Sequence, residues 1–165
     1  MKLSDGVETG IHCAAMFAGI DDGAAIPAAS LANFHGVSPS YLLKQLAKLV
    51  EAGLFESVPG PSGGYRLAKP ATAITLLDIV LAIEGREPAF RCNEIRRAGP
   101  DPLPDGAYPH PCGIKMAMLR AEKAYRTALS QVSLDELTKE HVSTADPRVI
   151  ARGCAFIETN SRRSK

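Results

Sequence analysis

The sequence predicts a mainly α-helical chain with one small β-hairpin, a helical head followed by a long helix that stands apart from it. Three observations predict this. Apolar residues recur at three- and four-residue steps in successive segments. A single run of turn formers, Pro59-Gly60-Pro61-Ser62-Gly63-Gly64, separates two short apolar stretches. A proline-rich tract, 86–111, isolates the last long periodic segment. With 165 residues, 45% hydrophobic, 22% charged and a net charge of +1, the chain has the bulk for one ordinary core plus an appendage. That composition excludes a disordered polymer and a multidomain assembly.

Each element follows from local chemistry. Val7, Ile11, Ala14, Ala15 and Ala18 share one face of a first helix from Asp5 to Ala18, which Gly19 and Asp21-Asp22-Gly23 end. Pro27 to Phe34 reads as a short second helix, closed by His35-Gly36 with glycine at C′, where the His35 ring can bond the last carbonyls. Ser38-Pro39 starts a third helix, because the serine hydroxyl can accept an orphan backbone N–H and proline at the first position leaves none unpaired. This helix runs to about Ala52 and Gly53 closes it. Its apolar set Leu42, Leu43, Leu46, Leu49 and Val50 opposes Ser40, Tyr41, Lys44, Gln45 and Lys48. Leu54 to Val58 and Tyr65 to Ala68 form the hairpin, and Thr75 begins a fourth helix carrying Leu76, Leu77, Ile79, Val80 and Ile83 up to Gly85.

Beyond Arg86 the character changes. Pro88, Pro100, Pro102, Pro104, Pro109 and Pro111 make a loop of a length that is usually functional or mobile. Cys112 to Val132 then reads as a helix of about 30 Å with Ile114, Met118, Ala121, Tyr125 and Leu129 in phase, a length suited to a dimer strut. Ser133-Leu134-Asp135-Glu136 is a capping box for one more short helix, with His141 near its end, and Thr159 to Lys165 is expected to be loose. The organisation is therefore a head at 1–85, a ligand loop at 86–111, a dimerisation helix and C-terminal segment at 112–158, and a flexible tail at 159–165. There is no internal repeat.

Helix, short helix, turn, longer helix, hairpin is the order of a winged helix-turn-helix. In that order the third helix enters DNA, with its first backbone N–H groups facing phosphate and its longer side chains reaching base edges. Ser38, Ser40, Tyr41, Lys44 and Lys48 are placed for those roles. The same residues also suit the wet face of a protein-binding adaptor, since winged helices serve both ends. Bulk charge does not favour DNA: 1–60 hold Lys2, Lys44 and Lys48 against Asp5, Glu8, Asp21, Asp22, Glu51 and Glu56, a net charge of −3.

Met1-Lys2-Leu3, Ser38-Pro39-Ser40-Tyr41-Leu42, Glu51-Ala52-Gly53-Leu54, Gly63-Gly64-Tyr65-Arg66-Leu67 and Ile74-Thr75-Leu76-Leu77-Asp78-Ile79-Val80 together resemble the Rrf2 family of bacterial transcriptional regulators, which includes iron–sulfur sensors. The resemblance covers most of the chain. It implies a homodimer with two winged heads on a palindromic operator in double-stranded DNA and a ligand-bearing loop between wing and long helix. Lys2 and Arg66 then join the DNA-contacting candidates. One departure stands out: Val58-Pro59-Gly60-Pro61-Ser62 has no basic residue before the glycines, which leaves minor-groove anchoring to Arg66 and Lys69.

Cys92 and Cys112 bracket the loop where this family places cluster ligands, but many members have three cysteines there and this chain has two. A 2Fe–2S cluster takes four protein ligands, and imidazole can replace thiolate. Glu8 and His12, four residues apart on one face of the first helix, are close enough to chelate one metal ion. The family resemblance implies a non-cysteine ligand from this helix of the opposite subunit. The expectation is a dimeric regulator sensing redox state or nitric oxide through a bridging 2Fe–2S cluster on Cys92, Cys112, Glu8 and His12. A disulfide switch or a zinc site at Cys92 and Cys112 is the alternative. His110 competes as a donor, while Cys13 and Cys154 are expected in the core.

Other classes recede. No stretch approaches the roughly 18 apolar residues of a membrane span, and no secretory leader opens the chain, so a cytoplasmic protein without membrane contact is expected. Aromatics at 5% with no Trp argue against carbohydrate or single-strand stacking sites. No Cys-His-acid motif points to a hydrolase or any small-molecule substrate.

Overall fold

The computed structural model describes residues 3–20, 23–61 and 63–163. Helices α1 (Asp5–Ala18), α2 (Ala28–His35), α3 (Pro39–Glu51) and α4 (Leu76–Glu84) form the head. The antiparallel hairpin of β2 (Phe55–Val58) and β3 (Gly64–Leu67) follows α3, after a two-residue strand β1 (Ala24–Ala25) earlier in the chain. Helices α5 (Gly113–Ser130), α6 (Leu134–Thr144) and α7 (Pro147–Asn160) and a short strand β4 (Arg162–Arg163) complete it. Among the described residues no helix is long and apolar enough to cross a membrane.

Local signals set the boundaries. Ser38 Oγ accepts the Tyr41 N–H at 3.3 Å with Pro39 in the first turn of α3. Gly36 closes α2 at φ +67°, the left-handed conformation that glycine adopts without a Cβ penalty. Thr75 with Asp78 and Ser133 with Glu136 both form reciprocal capping boxes at the starts of α4 and α6. These two starts lie side by side: Leu76 N–H donates to Val132 O at 3.0 Å, and Leu134 N–H to Ile74 O at 2.8 Å. The loop leaves the head after α4, and the chain returns along α5, which packs on α4, to α6, where Leu134 is fully buried.

One apolar cluster holds the head. Val7, Cys13, Ala14 and Phe17 of α1 meet Leu31 of α2, Leu42, Leu46 and Leu49 of α3, Phe55 of β2 and Ile79, Val80 and Ile83 of α4. The register of α3 differs from the expected one. Leu43, assigned inward, is 44% exposed, and Gln45, assigned outward, is buried against Gly6. Gln45 lies three residues after Leu42 and four before Leu49, which puts it on their face, whereas Leu43 is one step off it.

The tail also departs from expectation. Residues 159 and 160 finish α7, and Arg162 and Arg163 pair with Ala25 and Ala24. The next residue of that segment, Ile26, exchanges two backbone hydrogen bonds with Tyr65 of β3, at 2.9 and 3.0 Å. Gly64 is required there, because a Cβ would sit 2.3 Å from Ile26 O. Helix α7 docks by Phe156 on Phe34, ring centroids 4.4 Å apart, with the Arg152 guanidinium 4.8 Å from the Phe34 centroid. Cys154, expected in the core, is exposed on this helix.

Candidate metal centre and nucleic-acid interface

The proline-rich tract is ordered by polar contacts rather than by a core. Arg96 donates to Glu94 Oε2 at 2.6 Å and to His110 O at 3.5 Å, and its guanidinium stands 5.3 Å from the Tyr108 centroid. Tyr108 Oη donates to Arg96 O at 2.5 Å, and Arg97 pairs with Asp105 at 2.7 Å. At its start, the tract is pinned to α5: Glu122, 9% exposed, accepts the Ala89 N–H at 3.0 Å and pairs with Arg126, which donates to Arg86 O and Glu87 O.

This folding brings the two ends of the loop together. Cys92, Glu94 and Cys112 each present a donor atom, all within 4.8 Å of one another. Two thiolates on one tetrahedral ion with metal–sulfur bonds of ~2.3 Å stand roughly 3.8 Å apart, so the spread is compatible with one shared ion. Soft sulfur donors favour iron–sulfur clusters and zinc. The donor set thus fits one iron of a 2Fe–2S cluster and leaves the second iron to ligands from elsewhere.

The two thiols are differently tuned. The Lys115 N–H at the start of α5 chiefly, with the Ile114 N–H, Cys92 and Arg96, holds the Cys112 thiol below its ordinary value. The Glu94 N–H pulls Cys92 down, but burial and its neighbours Glu94 and Cys112 together raise it. Arg96 holds the Glu94 carboxyl below its usual range, keeping a carboxylate beside the sulfurs. Glu94 has φ +48°, unusual for a residue with a side chain, and its carboxylate accepts from the Cys92 thiol at 3.3 Å.

Sequence reasoning missed Glu94. Its signal was the Cys-x-Glu spacing in a segment without periodicity. The expected ligands Glu8 and His12 are exposed on α1, and within one chain they do not join the Cys92–Glu94–Cys112 group. His110, the competing donor, is exposed and gives the loop its carbonyl. Cys13 is buried as expected, its thiol pushed up to about 12 by burial. Among the described residues no bond from the His35 ring to the helix end is found: its Nε2 is buried without a partner there, and its ring centroid lies 6.2 Å from that of His12. Burial chiefly, with His12 and Arg152, lowers its pKa and favours a neutral ring.

On the DNA-facing candidates the structure divides. Ser40 and Lys44 are exposed along α3, Tyr41 is half-buried, and Ser38 is exposed with its hydroxyl occupied as the cap. Lys48 Nζ instead donates to Ile83 O at 2.8 Å, tying α3 to the end of α4. Arg66 is paired with Glu56 across the hairpin and donates to Gly23 O at 3.2 Å. Lys2 lies outside the described residues.

The comparisons agree with this architecture. A family model described as Rrf2, iron-dependent transcriptional regulator, matches residues 3–140. The chain is 34% identical over 142 residues to YffB, an HTH-type protein of Lactococcus lactis subsp. lactis, covering 85% of this chain and 88% of that one. It superposes on Staphylococcus aureus CymR in its oxidised form with a TM-score of 0.61 and 27% identity, over 84% of this chain and 96% of that one. It superposes on T. potens IscR with a TM-score of 0.64 and 22% identity, over 91% and 96%, a likeness of fold.

Proposed function

Because this chain belongs to the Rrf2 family of transcriptional regulators, which bind DNA, act as dimers and are not enzymes, we propose that it is a homodimeric sensor holding a 2Fe–2S cluster between subunits. Cys92 and Cys112 of one subunit bind one iron, and Glu8 and His12 of the partner subunit bind the other. The observation that carries this reading is the meeting of Cys92 and Cys112, twenty positions apart in sequence, at one point beside Arg96. When bound, such a cluster supplies one-electron chemistry and reactivity toward oxygen and nitric oxide.

The chain's own residues do the rest. Arg96 places a positive charge beside two thiolates and offsets part of their charge. Glu8 and His12 face outward from α1, whose opposite side packs on α3 and α4. A pull on those two side chains therefore moves the helix under the recognition helix, and half-site spacing on a palindromic operator makes a small tilt of two heads costly. Ile114 and Met118, one turn apart, leave apolar side chains exposed on one face at the start of α5, which supports dimerisation there.

The test is iron, acid-labile sulfide and the visible spectrum after anaerobic reconstitution, in the wild type and in Glu8→Ala, His12→Ala, Cys92→Ala and Cys112→Ala. Loss of the native spectrum is expected in all four variants, and a colourless, iron-free wild type overturns the reading.

A second reading is favoured by the adjacent thiols and by the likeness to CymR, whose structure has been determined in an oxidised form. In it Cys92 and Cys112 form a disulfide that switches DNA binding. Mass spectrometry under non-reducing conditions separates the two, because only the cluster form releases iron and sulfide on acidification. A zinc form contains metal but stays colourless.

A further inference from the structure

We propose that the C-terminal strand, through Arg162, supplies the cationic contact with the DNA backbone that the wing itself lacks. The proposal rests on the DNA-binding reading and is independent of any metal. The wing turn, 58–63, contains no cation, Lys69 lies beyond the end of β3, and two further basic candidates are already engaged: Arg66 with Glu56 and Gly23 O, Lys48 with Ile83 O.

The fold compensates from the far end of the chain. Strand β4 pairs with β1 in the register Ala24↔Arg163 and Ala25↔Arg162, and Ile26, the next residue, is bonded to Tyr65 of the wing strand β3. Arg162 then reaches into the wing turn, its Nη1 donating to Pro61 O at 2.7 Å. The residue is exposed, and among the described residues no carboxylate pairs with its guanidinium. Positions 159–165 carry no acid, and Arg163 follows directly.

This arrangement suits phosphate. A guanidinium bonded to one carbonyl through one nitrogen keeps further donors for a phosphate oxygen, and its planar fork matches that geometry. Short basic arms beside a helical reader commonly anchor in the adjacent minor groove. Here the arm is lent by the C-terminus, held in place by two ladder residues and one carbonyl.

The experiment measures binding of the full-length protein to a mixed-sequence duplex of about 30 base pairs by fluorescence anisotropy across a salt series, since backbone contacts are sequence-independent. The variant Arg162→Gln is expected to bind several-fold more weakly at low salt, with the slope of log K against log salt shallower by ~0.9 for one lost phosphate contact. Arg162→Lys, which keeps the charge, is expected to keep most of the slope. Circular dichroism and thermal melting of each variant report on the head. Unchanged affinity and slope in folded Arg162→Gln overturn the proposal and leave the strand a structural role. If Lys44→Gln also has no effect and the wild type shows no salt-dependent binding, the DNA reading falls with it; if Lys44→Gln alone reduces the slope, only the role of the strand is refuted.

Discussion

The head and the ligand loop achieve order by opposite means. In the head, seventeen buried residues from four helices, the hairpin, α6 and the segments between them form a single apolar cluster. In 86–111 nearly every side chain is exposed or half-buried, and the shape rests on Glu94–Arg96, Tyr108, Arg97–Asp105 and the Glu122–Arg126 clamp. Apolar burial is collective and insensitive to any one polar contact. A polar lattice of exposed pairs is individually weak, so the loop's geometry is conditional on what its donors hold. A regulator gains from this division: the reading head keeps its fold while the sensing segment is free to respond.

Breaking the comparison on the head's side gives the largest effect. Leu46 is fully buried in α3, and Leu46→Ala is expected to cost about 2–5 kcal/mol, read as a lower midpoint in urea unfolding. Gly10→Ala follows. A Cβ there would stand 2.4 Å from Ile83 Cδ1 at the α1–α4 crossing, so about 1–3 kcal/mol of overpacking is expected in the same assay.

On the loop's side, Glu122→Gln sharpens the contrast. It weakens the hold on Ala89 N–H and Arg126, and the expected result is faster hydrogen exchange at residues 86–91 with a nearly unchanged unfolding midpoint. A comparable loss of global stability would show that loop and head unfold as one. The smallest effect is a pH dependence. The Ser4 hydroxyl and N–H hold the largely exposed Glu84 carboxyl below its usual value of 4.5. The lowered folded value means that the stabilisation is present above pH 4.5 and is lost as the pH falls through the folded value. Glu84→Gln should flatten that part of a thermal-melting profile.

The same contrast explains what the sequence made legible. Caps are written within four residues, so Ser38, Thr75, Ser133 and Gly36 announced their helix ends and the structure bears them out. Apolar periodicity located α1, α3 and α4, and Pro27 with Gly36 located α2, but neighbouring leucines blurred the phase of α3, and Leu43 and Gln45 were exchanged. The i+3 and i−4 relations of Gln45 to Leu42 and Leu49 held the correct answer. Contacts between distant positions had no such signature: a two-residue ladder joining 24–25 to 162–163, the grip of Glu122 on Ala89, and the approach of Glu94 to two cysteines through an unusual backbone angle. Cys154 was misplaced because α7 buries only part of one face, Phe156 and its neighbours, and the thiol lies off it.

Cys112 occupies the N-cap of α5 while its sulfur points at Cys92 and Glu94. The sulfur is therefore the hinge pin between chemistry and lever. An electron, an oxidant or a lost ion that redistributes charge on that one atom also alters the electrostatic anchoring of the first turn of a helix about 27 Å long. Amplification then needs no relay of intermediate residues, only a rod whose near end is fastened to the reactive atom.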